Sequence, residues 1–201
     1  EEIVGRVVEA LDNVSSLDHD RIIRAFLGVI RAGLRTNFYQ PGVDGEHKSY
    51  VSLKLNPKAV PDLPAPRPQF EIWVYSPRVE GVHLRFGPVA RGGLRWSDRR
   101  EDFRTEVLGL VKAQMVKNTV IVPVGSKGGF VLKKAPPPAD RDAYLKEGIA
   151  CYQDYLRGLL EDVAGTDNPI QLRLAHQLAA VAHRRGDLRA ALNHYDEGTR
   201  I

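Results

Sequence analysis

The sequence predicts an α/β domain built on a mixed sheet flanked by helices. Two observations carry the prediction: alternating apolar residues mark strands, and apolar residues at i and i+4 mark helices between them. A third concerns the end of the chain, where the pattern changes near Gly165 to two helical segments. We therefore expect a domain at residues 1–164 and a helical tail at residues 165–201.

The N-terminal half of the domain is predicted to contain one helix and three strands. Asp18 is expected to cap the helix, whose apolar and basic residues occupy opposite faces up to Arg35. Alternation of apolar residues predicts strands at 50–55, 70–75 and 82–86. A proline-rich stretch between the first two strands is typical of a surface connection.

The C-terminal half of the domain is predicted to contain two long helices. Ser97 or Asp98 is expected to cap the first, which ends at about Lys117 and has apolar residues at every fourth position. Asp140 is expected to cap the second. The remaining elements, two strands and this second helix, are expected at residues 119–124, 128–132 and 140–161.

The tail is predicted to form a helical hairpin that resembles one tetratricopeptide unit. The positions that match its spacing are Leu178, Ala179, Ala182, Gly186, Ala191 and Tyr195. An unrelated hairpin of two helices is the alternative. One hairpin cannot bury its own apolar face, so we expect this one to pack on the domain or on a further neighbour.

Composition restricts the classes of function. The net charge of +4 is only mildly basic, and no nucleic-acid-binding motif is present, so we expect no nucleic-acid partner. No apolar run approaches the roughly 20 residues that cross a membrane. The single cysteine, Cys151, excludes an internal disulfide framework and fits a reducing cytoplasm.

The most informative segment, residues 81–134, places glycines beside cations or an amide three times. These groups are Arg91-Gly92-Gly93 with Arg95, the Gln114/Lys117 pair, and Gly125-Ser126-Lys127-Gly128-Gly129. Glycine lets a ligand approach the backbone closely, and an adjacent cation can then bind a carboxylate or phosphate. The three groups together predict one anion-binding cleft.

Lys127 is the candidate catalytic residue of this cleft. It follows a predicted buried strand, and glycines near it leave its amine accessible. Neighbouring cations and partial desolvation disfavour the charged ammonium, and a neutral amine can act as a general base. The alternative is a lysine in a glycine-rich surface turn.

Gln114, Lys117 and Arg91 are candidate carboxylate ligands. Gln114 and Lys117 share one face of the predicted helix near its C-terminus. A lysine there is also favoured by the helix dipole without any ligand. The Arg91 guanidinium can bind a carboxylate through two parallel hydrogen bonds, whereas Arg99 and Arg100 are better explained by pairing with nearby acids.

Other chemistries lack their motifs. The sequence contains neither a GxxxxGK phosphate loop nor a GxGxxG dinucleotide fingerprint. Its six histidines show no metal-ligand spacing, so we expect no metal site. Cys151 lies in a predicted helix among apolar residues and is expected to be buried without a catalytic role.

Two segments of the sequence resemble a known family. ARGGLRWSDRREDFRTEVLGLVKAQMVKN, followed by PVGSKGG, closely resembles the large bacterial NAD-specific glutamate dehydrogenases. The resemblance extends over about residues 11–160. It implies an enzyme that converts glutamate, NAD and water to 2-oxoglutarate, ammonia and NADH, and a parent protein that is a homo-oligomer.

The resemblance also implies a role for each candidate residue. Lys127 matches the lysine that activates water, and Lys117 and Gln114 match residues that hold the substrate α-carboxylate. Arg91 stands where smaller glutamate dehydrogenases usually have a lysine for the side-chain carboxylate. The glycines that would shape the pocket floor are Gly92, Gly93, Gly128 and Gly129.

The family continues past Leu160 with an aspartate-bearing catalytic segment and a Rossmann-type NAD domain, neither of which is seen in residues 165–201. We therefore expect the isolated chain to lack NAD binding and turnover. A non-catalytic module that binds a dicarboxylate, or binds a protein through its helical tail, is the alternative function.

Overall fold

The computed structural model describes residues 2–42, 44–87, 92–117 and 124–163. Within them the chain forms four α-helices, one short 3-10 helix and six strands. In chain order these are α1 (Glu2–Leu11), α2 (Leu17–Arg31), β1 (Gly33–Thr36), β2 (Val51–Leu55), a 3-10 helix (Pro57–Ala59), β3 (Phe70–Tyr75), β4 (Val79–Arg85), β5 (Leu94–Trp96), α3 (Phe103–Lys117), β6 (Ser126–Leu132) and α4 (Arg141–Val163).

The six strands form one mixed sheet in the order β1-β2-β3-β4-β6-β5. Neighbours from β1 to β6 are antiparallel, whereas β5 runs parallel to β6. Helix α3 therefore connects two adjacent parallel strands, which is a β-α-β crossover. The mixed α/β architecture expected from the sequence is confirmed, and its central strands are β4 and β6.

Helix α4 covers one face of the sheet. Its buried residues include Cys151, Tyr155 and Leu156, all with no exposed surface. They form one cluster with β-strand residues on the same face, which are Ile72, Val74, Val79, Phe130 and Leu132. Gly158 of α4 lies directly on Val74, since a Cβ at that glycine would be 2.6 Å from a Val74 methyl group.

Helix α3 covers the opposite face. Phe103, Val107 and Val111 pack beneath it with Val82, Leu84 and Val131, as the four-residue apolar spacing predicts. Arg104 of α3 fixes the helix to β3 by donating to both carboxylate oxygens of the buried Glu71, at 2.7 and 2.6 Å. The central strands are therefore enclosed between two helices, which explains their continuous burial.

Two predicted helix starts are wrong. Ser16, rather than Asp18, caps α2 by accepting from the His19 backbone N–H. Ser97 caps no helix, because its backbone N–H donates to Phe130 as an extension of the sheet, and α3 begins only at Phe103. In both cases pairing or turn geometry outside the helix decides which polar residue caps it.

The predicted end of α2 is also wrong. The helix ends at Arg31, and Gly33–Thr36 pairs with β2 instead of continuing the helix to Arg35. Backbone pairing with the sheet therefore overrides the apolar-basic periodicity of Leu34 and Arg35. Strand β3 has the predicted bounds, and β4 begins three residues earlier than predicted.

The predicted strand at 119–124 falls mainly on residues 118–123, outside the described part of the chain. The predicted tail hairpin falls on residues 164–201, which are also outside it. The Asp140 cap of the last helix is confirmed, since its carboxylate accepts from the Ala143 N–H at 3.0 Å. Among the described residues, no helix is long and apolar enough to cross a membrane.

The C-terminal end of α4 is fastened to the β1–β2 region through one carboxylate. Glu161 accepts from Asn37 Nδ2 at 2.6 Å, from the Tyr50 hydroxyl at 2.7 Å and from Lys48 Nζ at 2.8 Å. Burial, together with the Glu161 carboxylate, raises the pKa of Tyr50, so its hydroxyl remains a donor near neutral pH. These contacts join residues more than a hundred positions apart in sequence.

Replacing Glu161 with alanine should lower the free energy of unfolding by about 2–3 kcal/mol, because three donors lose a charged acceptor. Urea unfolding of the purified chain measures this change. Glu101→Ala, at an exposed glutamate, is the control and should cost less than about 0.5 kcal/mol. Equal stability of the two variants would contradict the fastening role of Glu161.

Candidate functional site

Lys127 is the second residue of β6 and points to the α3 face of the sheet. Its neighbours at alternate positions, Gly125 and Gly129, both lie against α3: a Cβ at Gly125 would meet Met115 and Val111 at 3.1 Å, and one at Gly129 would meet Val107 at 2.6 Å. Side chains alternate along a strand, so Lys127 shares this face. The lysine is partly buried.

The Gly92-Gly93 loop lies directly against the start of β6. A Cβ on Gly92 would overlap the Ser126 carbonyl oxygen, so only glycine fits there. The Gly93 carbonyl accepts from the Gly128 N–H at 3.3 Å. A Cβ on Gly93 would lie 3.8 Å from Lys127 Nζ, its nearest neighbouring atom. The Lys127 amine therefore reaches the glycine loop, as the sequence predicts.

Gln114 brings the last turns of α3 to the same place. Its Oε1 lies 3.4 Å from the position of a Gly125 Cβ, on the face that carries Lys127. Gly125 and Lys127 are two residues apart, which corresponds to roughly 7 Å along a strand. Lys117 is one turn further along and is the exposed last residue of α3. Gln114, Lys127 and Gly93 therefore form a single site at the end of α3.

Gly128 and Gly129 face opposite sides of the sheet, and packing explains both. Gly129 lies beneath Val107 of α3. A Cβ on Gly128 would be 2.5 Å from the Tyr155 hydroxyl and from Leu94 Cδ2, on the α4 side. Gly128 is therefore behind Lys127 rather than in front of it.

Two neighbouring arginines are engaged in ion pairs with acids. Arg95 contacts Glu106 of α3, and the other Glu106 oxygen accepts from the Ser97 hydroxyl at 2.5 Å. Arg99 pairs with Asp102, which confirms the interpretation that it serves a structural contact. Arg91, the remaining arginine of the predicted cleft, is outside the described residues.

The face behind Lys127 contains a buried histidine that sequence reasoning did not identify. His83 Cδ2 lies 2.8 Å from the position of a Gly128 Cβ, and its Nδ1 is buried without a hydrogen-bond partner within the described residues. Burial, with a further effect of the Arg85 guanidinium, lowers the pKa of His83 to about 4. The imidazole is therefore neutral at neutral pH and places no second cation behind the lysine.

Cys151 is buried and inert, as expected. Burial, with the nearby Glu147 carboxylate, raises the pKa of its thiol to about 12. A thiol in this state supplies almost no thiolate at neutral pH. Among the residues that the structure describes, no group of three histidine, cysteine or acidic side chains could hold a metal ion.

The described residues do not fit a dinucleotide. The β5–α3 connection is where a β-α-β unit would hold a pyrophosphate, yet residues 97–102 read SDRRED and contain no glycine. The Arg99–Asp102 pair also occupies this turn. The described part of the chain therefore carries a site for a small anion but no cradle for a nucleotide.

Lowering the pH should destabilise the fold through His83. The unfolded chain takes up a proton near pH 6.5 and the folded chain only near 4, so stability falls between these values as pH falls. Between pH 7 and 4.5 this contribution is about 2–3 kcal/mol. In urea unfolding, His83→Gln should reduce the pH dependence by that amount. His19→Gln, at an exposed histidine, controls for loss of an imidazole; identical profiles for wild type and His83→Gln would refute the assignment.

The two loop glycines should differ in their response to alanine. Gly92→Ala should lower the free energy of unfolding by at least about 2 kcal/mol, because its Cβ overlaps a backbone oxygen. Gly93→Ala meets only the end of Lys127 and should change stability by less than about 1 kcal/mol. Thermal or urea unfolding of both variants tests this contrast, and a tolerated Gly92→Ala would show that the loop lies further from Ser126.

Comparison with known proteins identifies the family. The sequence profile described as "Bacterial NAD-glutamate dehydrogenase, catalytic domain" matches residues 6–199. The match thus includes most of the tail, which the resemblance seen in the motifs did not reach.

The chain is similar to proteins named NAD-specific glutamate dehydrogenase. It is 59% identical to the protein of Pseudomonas aeruginosa over 90% of the chain, and 56% identical to that of Halomonas elongata over 93%. The protein of Mycobacterium tuberculosis is 58% identical over 81% of the chain. The chain spans only 10–11% of the length of these relatives. It belongs to the bacterial NAD-glutamate dehydrogenase family, to whose catalytic domain the matched residues correspond.

Proposed function

We propose that the site around Lys127 binds glutamate and 2-oxoglutarate as the substrate half of an NAD-dependent glutamate dehydrogenase. The observation that carries the proposal is the convergence of Gly93, Gln114 and Lys127 at the end of α3. An amine, an amide and open glycine backbone together suit a small dicarboxylate. Family membership and the names of the relatives support the choice of glutamate.

Each residue has a defined task in this proposal. Lys117 and Gln114 hold the α-carboxylate, with the lysine supplying charge and the amide a directed N–H. Gly92 and Gly93 leave room for the substrate next to Lys127, because no side chain projects from them. Arg91, by its position in the sequence, binds the side-chain carboxylate.

Lys127 performs the proton transfer. Its neutral amine removes a proton from water as the water oxygen adds to the imine carbon of 2-iminoglutarate, and the ammonium that results can return the proton to the departing ammonia. Two features of the structure suit this task. The amine is partly buried, which favours its neutral form, and Arg95 is held by Glu106 rather than placed as a free charge at the site.

NAD supplies the hydride acceptor in this proposal and is bound by residues outside the described ones. A chain of these 201 residues should therefore bind substrate without forming NADH from glutamate and NAD. The proposal keeps the two-part division at residue 164 and assigns the protein to the reducing cytoplasm, in line with its one thiol. It also includes a homo-oligomeric parent enzyme and no nucleic-acid or membrane partner.

Calorimetric titration of the purified chain with 2-oxoglutarate tests the substrate site. Lys117→Ala should weaken binding by about 2 kcal/mol, or roughly thirtyfold, through loss of a charge-assisted contact. Lys112→Ala is the matched control, because Lys112 is an exposed lysine on the same helix. Equal loss in both variants would indicate only a general effect of charge. Absence of binding by the folded wild-type chain would refute the site as it stands.

Lys127 is tested separately in an intact relative, such as the Pseudomonas aeruginosa protein. Replacing the equivalent lysine with alanine should reduce turnover on the order of 100- to 10,000-fold, because a positioned proton acceptor is lost. Substrate binding, measured by calorimetry, should persist. Turnover near the wild-type rate would exclude this lysine as the base, and would leave the non-catalytic binding module as the better interpretation.

A further inference from the structure

The strand segment that carries Lys127 has almost no side chains of its own to fix it. Positions 125, 128 and 129 are glycines, so packing at this end of β6 depends on neighbouring elements. Met115 and Val111 press on Gly125 from α3, and Val107 presses on Gly129. All three contacts come from the face on which Lys127 lies. Support from the other face must come from the α4 side.

Tyr155 of α4 supplies that support. The side chain is fully buried, and its hydroxyl donates to the Val82 carbonyl at 2.7 Å. Its ring lies against Gly81 of β4, where a Cβ would be 2.5 Å away, and its hydroxyl is equally close to the Cβ position of Gly128. Two glycines on adjacent strands thus make room for one aromatic side chain.

The hydrogen bond of Tyr155 ends beside the residue that follows Lys127. Val82 pairs with Gly129, and the neighbouring pair is His83 with Gly128. The tyrosine hydroxyl therefore contacts β6 at Gly128 while it is anchored to β4 at Val82. Any shift of β6 away from α3 would move Gly128 into this hydroxyl, and any shift towards α3 would open a gap there.

We propose that Tyr155 is a positioning residue, which holds the β6 backbone at Gly128 and thereby sets the place of the Lys127 amine on the opposite face. The proposal rests on the proposed function for its catalytic meaning, but the geometry itself involves only described residues. Burial raises the pKa of the Tyr155 hydroxyl well above its usual range, so the group remains a hydrogen-bond donor wherever the protein is folded near neutral pH.

The test compares Tyr155→Phe with Tyr152→Phe in the 201-residue chain. Tyr152 lies one turn earlier on α4 and packs against Phe130, at 5.7 Å between ring centroids, so it controls for loss of a tyrosine hydroxyl from the same helix. Lysine amines are labelled with 13C-methyl groups, and the Lys127 signal is assigned from its absence in Lys127→Arg. A second variant carries 4-fluorophenylalanine at position 155, which nearly preserves the volume beside Gly128 but cannot donate a hydrogen bond.

We expect Tyr155→Phe and the fluorinated variant to shift the Lys127 methyl signal and to weaken 2-oxoglutarate binding roughly 2- to 10-fold, as loss of one hydrogen bond implies. Tyr152→Phe should change neither. An unshifted Lys127 signal in a folded fluorinated variant would overturn the proposal, as would equal shifts from both tyrosines. Failure of the wild-type chain to bind 2-oxoglutarate would count against the proposed function alone, since the Lys127 signal still decides the role of Tyr155.

Discussion

The close packing of β6 between two helices is the constraint on which the rest of the site depends. Gly125 and Gly129 let α3 approach one face of the strand, and Gly128 lets Tyr155 approach the other. Any side chain at these positions would separate a helix from the sheet. The same absence of side chains leaves open backbone around Lys127, so dense packing on the flanks and an open centre for a ligand have one cause.

Charge is distributed so that lysine, rather than arginine, remains at the site. Arg95, Arg99 and Arg104 each contact a specific carboxylate, and two of these contacts fix the position of α3 relative to β5 and β3. The arginines thus serve the architecture with their rigid, bidentate geometry, while the lysines at positions 117 and 127 keep flexible stems at the end of α3. A neutral His83 behind the strand completes this separation, because its low pKa removes a charge that would repel a cation across the sheet.

Much of the fold could be predicted from the sequence, because periodicity reports burial. The bounds of β3 and the buried face of α3 follow directly from apolar spacing. Helix ends were less accessible: Ser16 and Asp18 are equally good caps in sequence, and the loss of Leu34 and Arg35 to β1 depends on a partner strand that lies twenty residues away. The glycine-cation pattern located Lys127, Gln114 and the Gly92-Gly93 loop. It could not show that Arg95 is paired, nor that Gly128 faces backwards, because both depend on which side of β6 each neighbour occupies. Two glycines at positions 81 and 128, in strands otherwise rich in large side chains, were the available signal for a bulky residue such as Tyr155.

The way in which Tyr155 fits against Gly81 and Gly128 also constrains how this protein can change over evolutionary time. A side chain could enter position 81 or 128 only in a lineage where residue 155 had already become smaller, and a smaller residue 155 would leave a void until one of the glycines was filled. Each single step passes through a less stable intermediate. Positions 81, 128 and 155, which come from three different elements, therefore form one heritable unit, and drift at any of them is tied to the other two.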